Sequence, residues 1–144
     1  QNLGLVFASR NRMEEALAAY RKLCELLPDH AAAHYHLASI LRQQGKYEDA
    51  RVAYEKVLQL DPRHADAWVN LCALYQMKGD TALAVNCART AIAIAPDLAA
   101  AHFNLAQLYN MMRRTQEAIE EYKRVLQIEP GHKLAKEELQ RLGE

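Results

Sequence analysis

The chain has 144 residues, 51% of them hydrophobic and 25% charged, with lysine plus arginine equal to aspartate plus glutamate at 18 each. That composition suits a folded domain with a sizeable core and excludes disordered and fibrous classes; no apolar run approaches the roughly 20 residues of a membrane-spanning helix. With no net charge there is no basic field to draw in nucleic acid, so neither a nucleic-acid partner nor membrane insertion is expected. Cys24, Cys72 and Cys87 are odd in number and form no CxxC pair, against a disulfide framework or a cysteine zinc site. They read as small buried hydrophobes in a reducing, cytoplasmic compartment.

The only prolines are Pro28, Pro62, Pro96 and Pro130, each 34 residues after the last, the period of a helical-hairpin array. In chain order, residues 1–30 read as a partial unit. It opens inside a first helix carrying Leu3 and Gly4, reaches a turn phase at Asn11, and continues into a second helix with Ala16 and Tyr20. Because it opens mid-helix, sequence upstream is expected. Residues 31–64 are a complete unit: Ala31 to Gln44 predicts a first helix, Gly45 a left-handed stop, and Tyr47 to Leu60 a second helix with Ala50, Ala53, Tyr54, Val57 and Leu58 inward. Residues 65–98 repeat the pattern with a turn at Gly79 and Asp80. Residues 99–132 do so with Arg113 at the turn phase, where a different turn is expected because arginine tolerates the left-handed region poorly. Residues 133–144 leave the pattern; Leu134, Ala135, Leu139 and Leu142 form one apolar stripe, as a capping helix requires.

Two series stay small throughout: Gly4, Ala38, Cys72 and Ala106 in first helices, and Ala16, Ala50, Ala84 and Ala118 in second helices. Larger side chains there would hold the helices apart. Tyr20, Tyr54 and Tyr122 share a phase that Ala88 breaks, so looser packing is expected in the third unit.

The first-helix pattern of an aromatic, Leu-small and Tyr appears as Trp68, Leu71, Cys72 and Tyr75, followed by Ala84 and Pro96. In these residues the chain resembles the tetratricopeptide repeat (TPR) family over all but its last dozen residues. The resemblance implies an all-α, right-handed superhelical solenoid of antiparallel helix-turn-helix repeats with a C-terminal capping helix. It also implies that the first helices line a concave groove.

No phosphate-cradling GxxxxGK[ST], GxSxG, HExxH or GxGxxG occurs, so no enzyme and no cofactor is expected. His30, His64 and His132 recur in phase near His34 and His36. They lie one repeat apart, however, and His34 and His36 face different sides of a helix, so they read as loop and helix-start residues and no metal is expected. His34 and His102 share the Trp68 phase and are expected to pack.

The informative face belongs to the first helices. Asn2, His36, Asn70 and Asn104 are spaced by 34; beside them run Tyr35, Val69 and Phe103, then Ser39, Ala73 and Gln107, then Arg42, Gln76 and Asn110, then Gln43, Met77 and Met111. An amide both donates and accepts, which suits an extended peptide backbone, and methionine re-packs around varied side chains. Asparagine at this phase also has a structural reading, bridging neighbouring first helices. Chaperone-tail-binding family members carry a lysine, arginine and asparagine clamp for two carboxylates. Placed over units two to four, only Asn70 matches; Tyr35, Ser39, Phe103 and Gln107 stand at other clamp positions. The neutral groove is similar to the repeat superhelix of O-linked N-acetylglucosamine transferases and related bacterial multidomain proteins.

The expected function is a non-catalytic scaffold that holds an extended or helical protein segment. Asn70, Asn104 and His36 would be polar contacts, and Tyr35, Phe103, Met77 and Met111 apolar ones. Alternatives are a substrate-positioning or oligomerisation domain of a larger glycosyl- or sulfotransferase-type enzyme, or a self-assembling array pairing through exposed repeat ends.

Overall fold

The structure is a computed structural model. It describes the backbone of residues 2–143 and the side chains of residues 9–143; expectations about the side chains of Asn2, Leu3 and Gly4 lie outside the described residues. Among the described residues there are eight α-helices and no strand: α1 (Asn2–Leu26), α2 (Ala31–Gln43), α3 (Tyr47–Leu60), α4 (Ala65–Lys78), α5 (Thr81–Ile94), α6 (Ala99–Met111), α7 (Thr115–Ile128) and α8 (Lys133–Arg141). They divide into two compact units, Gln1–Pro62 and Arg63–Glu144.

In the first unit α2 packs on α3 as a hairpin and α1 packs on α2. In the second, α4 with α5 and α6 with α7 form hairpins, α6 also touches α4 and α5, and α8 packs on α7.

Each hairpin closes by the same backbone device. The Lys46 amide donates to the Leu41 carbonyl and the Gly45 amide to Arg42; Asp80 to Tyr75 and Gly79 to Gln76 repeat it, as do Arg114 to Tyr109 and Arg113 to Asn110. These paired bonds satisfy carbonyls that the ending helix leaves open, and they require a left-handed residue. Gly45 and Gly79 supply it at φ 79° and 93°. Arg113 adopts it as well, at φ 61°, so the expectation of a different turn there is corrected. The backbone motif outweighs the penalty on one β-carbon.

A second correction concerns α1. It runs unbroken from Asn2 to Leu26, with no turn at Asn11. Arginines flank Asn11, and both favour the helix, while asparagine tolerates the left-handed region without demanding it. Nothing stops the helix there.

The second helices end two residues before each proline. The amides of Asp61, Ala95 and Glu129 donate to the carbonyls of Val57, Ala91 and Val125, and proline then prevents continuation. The next helix is capped by a histidine: Nδ1 of His30, His64 and His132 accepts the amide of Ala33, Ala67 and Ala135 at 3.1, 3.1 and 3.2 Å. Leu98 holds that position before α6 and offers no side-chain cap.

Ala38, Cys72 and Ala106, and Ala50, Ala84 and Ala118, are fully buried, as are Tyr54, Val57, Tyr122 and Val125. Ala88 is fully buried too, although it stands at the tyrosine phase. The first-helix residue at the matching phase shrinks with it: Tyr35 meets Tyr54 edge-on at 5.8 Å and Phe103 meets Tyr122 at 5.7 Å, whereas the third unit has Val69 and Ala88 there. In α8, Ala135 and Leu139 are buried and Leu142 half-buried, but Leu134 is 56% exposed and leaves the expected stripe.

Candidate functional site

Of the first-helix residues in unit one, Tyr35, Ser39 and Arg42 are half-buried on α2 and His36 is exposed. Several are engaged within the fold. The His36 ring stacks on Tyr20 of α1, centroids 5.3 Å apart, and meets Tyr35 edge-on at 6.0 Å. The Ser39 hydroxyl lies 3.2 Å from the Tyr54 hydroxyl. Tyr35 therefore anchors α2 on α3 with one face and keeps part of its surface outward.

In unit two, α4 and α6 are neighbours and bring eight of the sequence-derived positions together: Val69, Asn70, Ala73 and Met77 with Phe103, Asn104, Gln107 and Met111. The two methionines are 61% and 59% exposed, an unusual disposition for side chains of that hydrophobicity. Gln76 Nε2 donates to Met111 Sδ at 3.5 Å and ties the two helices at that end. Asn70 Nδ2 donates to the Asp66 carbonyl of its own helix at 2.9 Å, which orients the amide. Phe103 is packed between Tyr122 and the capping histidine His132, 4.9 Å away, so much of its surface is structural.

The histidine series have separate roles. His30, His64 and His132 are the caps described above, and no group of three potential metal ligands occurs among the described residues. His34 Nε2 donates to the Pro28 carbonyl at 2.9 Å and His102 Nε2 to the Pro96 carbonyl at 2.8 Å. Both pin the start of a first helix to the proline loop before it, and His102 is buried.

Two clusters have no sequence-level signal. Nδ1 of His102 lies 2.6 Å from Glu121 Oε2, joining α6 to α7. The Tyr109 hydroxyl accepts from Arg89 at 2.8 Å while the Arg114 guanidinium sits 4.8 Å from the same ring, linking α5, α6 and the turn before α7. Phase alone cannot find them, because Glu121 has no acidic counterpart in the other repeats and, as arginines, Arg89 and Arg114 share their phases only with Arg21 and Arg12 of the first unit. Burial raises the thiol of Cys72 to about 12 and raises that of Cys24, which leaves both poor nucleophiles.

The architecture is that of an α-helical hairpin repeat protein, and sequence profiles agree: the TPR repeat matches residues 4–41 and 38–79, and the tetratricopeptide repeat residues 63–129. The chain belongs to the tetratricopeptide-repeat family. No curated protein matches the sequence. Among solved structures it is similar to MamA, with 24% identity, a TM-score of 0.85, and coverage of 94% of this chain and 79% of that one. It is also similar to the first TPR of Spaghetti (RPAP3) bound to the HSP90 peptide SRMEEVD, with 25% identity, a TM-score of 0.75 and coverage of 78% and 89%. The Arabidopsis OM64 TPR domain follows, with 18% identity, a TM-score of 0.75 and coverage of 78% and 93%.

Proposed function

We propose that the chain is a non-catalytic scaffold that binds a segment of another protein on the face of its first helices. The observation that carries this reading is the pairing of outward Met77 and Met111 with half-buried Asn70 and Asn104 on the neighbouring helices α4 and α6. Soft apolar side chains beside amides offer pockets for varied residues and partners for an extended backbone. A similar TPR fold is solved with a peptide bound, which supports a protein partner. The acidic chemistry of that peptide does not carry over. Tyr35, Ser39, Phe103 and Gln107 provide no cations where the clamp would need them, so a neutral, partly apolar segment fits better.

The test is selection of binders from a displayed random-peptide library, followed by affinity measurements on the winners. Asn70→Ala with Asn104→Ala should weaken their binding at least tenfold while the melting temperature stays within a few degrees. Equal losses of binding and stability would instead make the asparagines structural.

A further inference from the structure

Leu134 leaves the buried stripe of α8 because it stands on a different face of that helix. Its phase is that of Ala32, Asp66 and Ala100, and all three are exposed on their first helices. The residues after it continue the same ladder. Glu137 follows Val69 and Phe103, Glu138 follows Asn70 and Asn104, and Arg141 follows Ala73 and Gln107, each by whole periods of 34. The helix that caps the array through buried Ala135 and Leu139 therefore carries, on its outward side, the positions that form the candidate site on α4 and α6.

A ring contact joins the two. His132, the residue before α8, lays its ring on Phe103 of α6 at 4.9 Å, which brings the first turn of α8 to the α6 face. Leu134 lies two residues further on, 56% exposed, and exposed Glu137 is its neighbour one turn along the same side. An apolar side chain and a carboxylate thus stand together at this end of the face.

Charge decides what they fit. The Arg141 guanidinium is already held, donating to the Glu138 carboxylate through Nε at 3.2 Å and through Nη2. Lys133 and Lys136 stand at the phases of Ala99 and His102, which are buried, so both lie off the ladder. Glu137 makes no ion pair among the described residues, and Asp66 is exposed at the other side of the face on α4. At the described ladder positions of α4, α6 and α8, every charge without an ionic partner is therefore a carboxylate.

We propose that α8 is a specificity element of the binding face. Leu134 and Glu137 select a partner segment that carries lysine or arginine beside an apolar residue, with the cation on Glu137 and the apolar side chain on Leu134. The assignment rests on the peptide-binding reading and deepens it: the segment is neutral and apolar where it crosses α4 and α6, and cationic where it reaches α8. The apolar contact at Leu134 excludes water beside the ion pair, which strengthens the attraction over that of a fully solvated pair. An acidic residue at that register would meet Glu137, with no unpaired cation on the ladder to receive it.

The peptides selected on the intact chain supply the test. They should be enriched in lysine or arginine next to an apolar residue, and Glu137→Lys should weaken them about tenfold. Replacing the peptide's cation by glutamate should cost about as much on the parent chain and should restore affinity on Glu137→Lys. Leu134→Ser should weaken binding by about fivefold. Both variants should melt within a few degrees of the parent, because neither side chain is buried. Binders that require Asn70 and Asn104 yet carry no cation, or that bind Glu137→Lys as well as the parent, overturn this inference and leave the peptide-binding reading standing. A library that yields no binder overturns both.

Discussion

His102 of α6 and Glu121 of α7 are joined by a contact of 2.6 Å between Nδ1 and Oε2, with the histidine buried. The Pro96 carbonyl can only accept, so Nε2 carries its hydrogen and Nδ1 meets the carboxylate through one further shared proton. The ring thus ties α6 to α7 and to the loop that starts α6. His102→Ala would leave the carboxylate and the carbonyl without partners, and a loss of about 2–4 kcal/mol is expected. Denaturant unfolding of that variant against Glu121→Gln checks it: the glutamine keeps a hydrogen-bonding group and should cost less.

Leu98 stands where His30, His64 and His132 cap their helices. Leu98→His should gain about 0.5–1 kcal/mol by giving the Ala101 amide a second acceptor, measured as a shift in urea midpoint at unchanged slope. His64→Ala should lose about the same.

Arg113 holds a left-handed backbone that its two counterparts assign to glycine. Arg113→Gly should therefore stabilise the chain by about 1 kcal/mol, and Gly79→Ala should destabilise it by a similar amount. A β-carbon on Gly79 meets nothing within 4 Å, so that cost is conformational rather than steric. Opposite signs in paired melting curves are the expected result.

Tyr122 is fully buried, and burial pushes its hydroxyl up to about 12. The unfolded chain releases this proton near pH 10, so between about 10 and 12 the folded state binds more protons and stability falls as pH rises. Tyr122→Phe should flatten that alkaline arm and leave stability below pH 9 to packing alone. Urea unfolding across the alkaline range measures both.

Cys24 is half-buried, whereas Cys72 and Cys87 are buried. Native-state alkylation at mildly alkaline pH should label Cys24 slowly and the other two only on unfolding, with burial holding the Cys72 thiol near 12. Mass spectrometry of peptides after timed labelling gives the order.

The hairpins were legible because proline, glycine and small residues act at fixed backbone positions, and their phase carries the fold with it. Gly45 and Gly79 announce their turns; Arg113 and Asn11 do not. At Arg113 the paired hydrogen bonds impose the left-handed turn on an unsuitable residue, while at Asn11 no such bonds form and the helix continues. The recurring histidines were visible, but their role as caps depends on ring placement that spacing does not specify. For the candidate site, the sequence locates the first-helix positions and the exposed Met77 and Met111. It does not reveal that Tyr35, His36 and Phe103 spend part of their surface on Tyr54, Tyr20 and Tyr122.

Because each hairpin turn satisfies its own helix ends between its first helix and the following proline, the 34-residue segment is also a unit of insertion and deletion. Excising residues 65–98 would join Pro62-Arg63-His64 to a first helix beginning Ala99-Ala100-Ala101, which puts a histidine cap where Leu98 now stands. The shortened array would begin α6 better capped than the parent does, and growth or loss of the chain by whole periods leaves no helix end newly exposed.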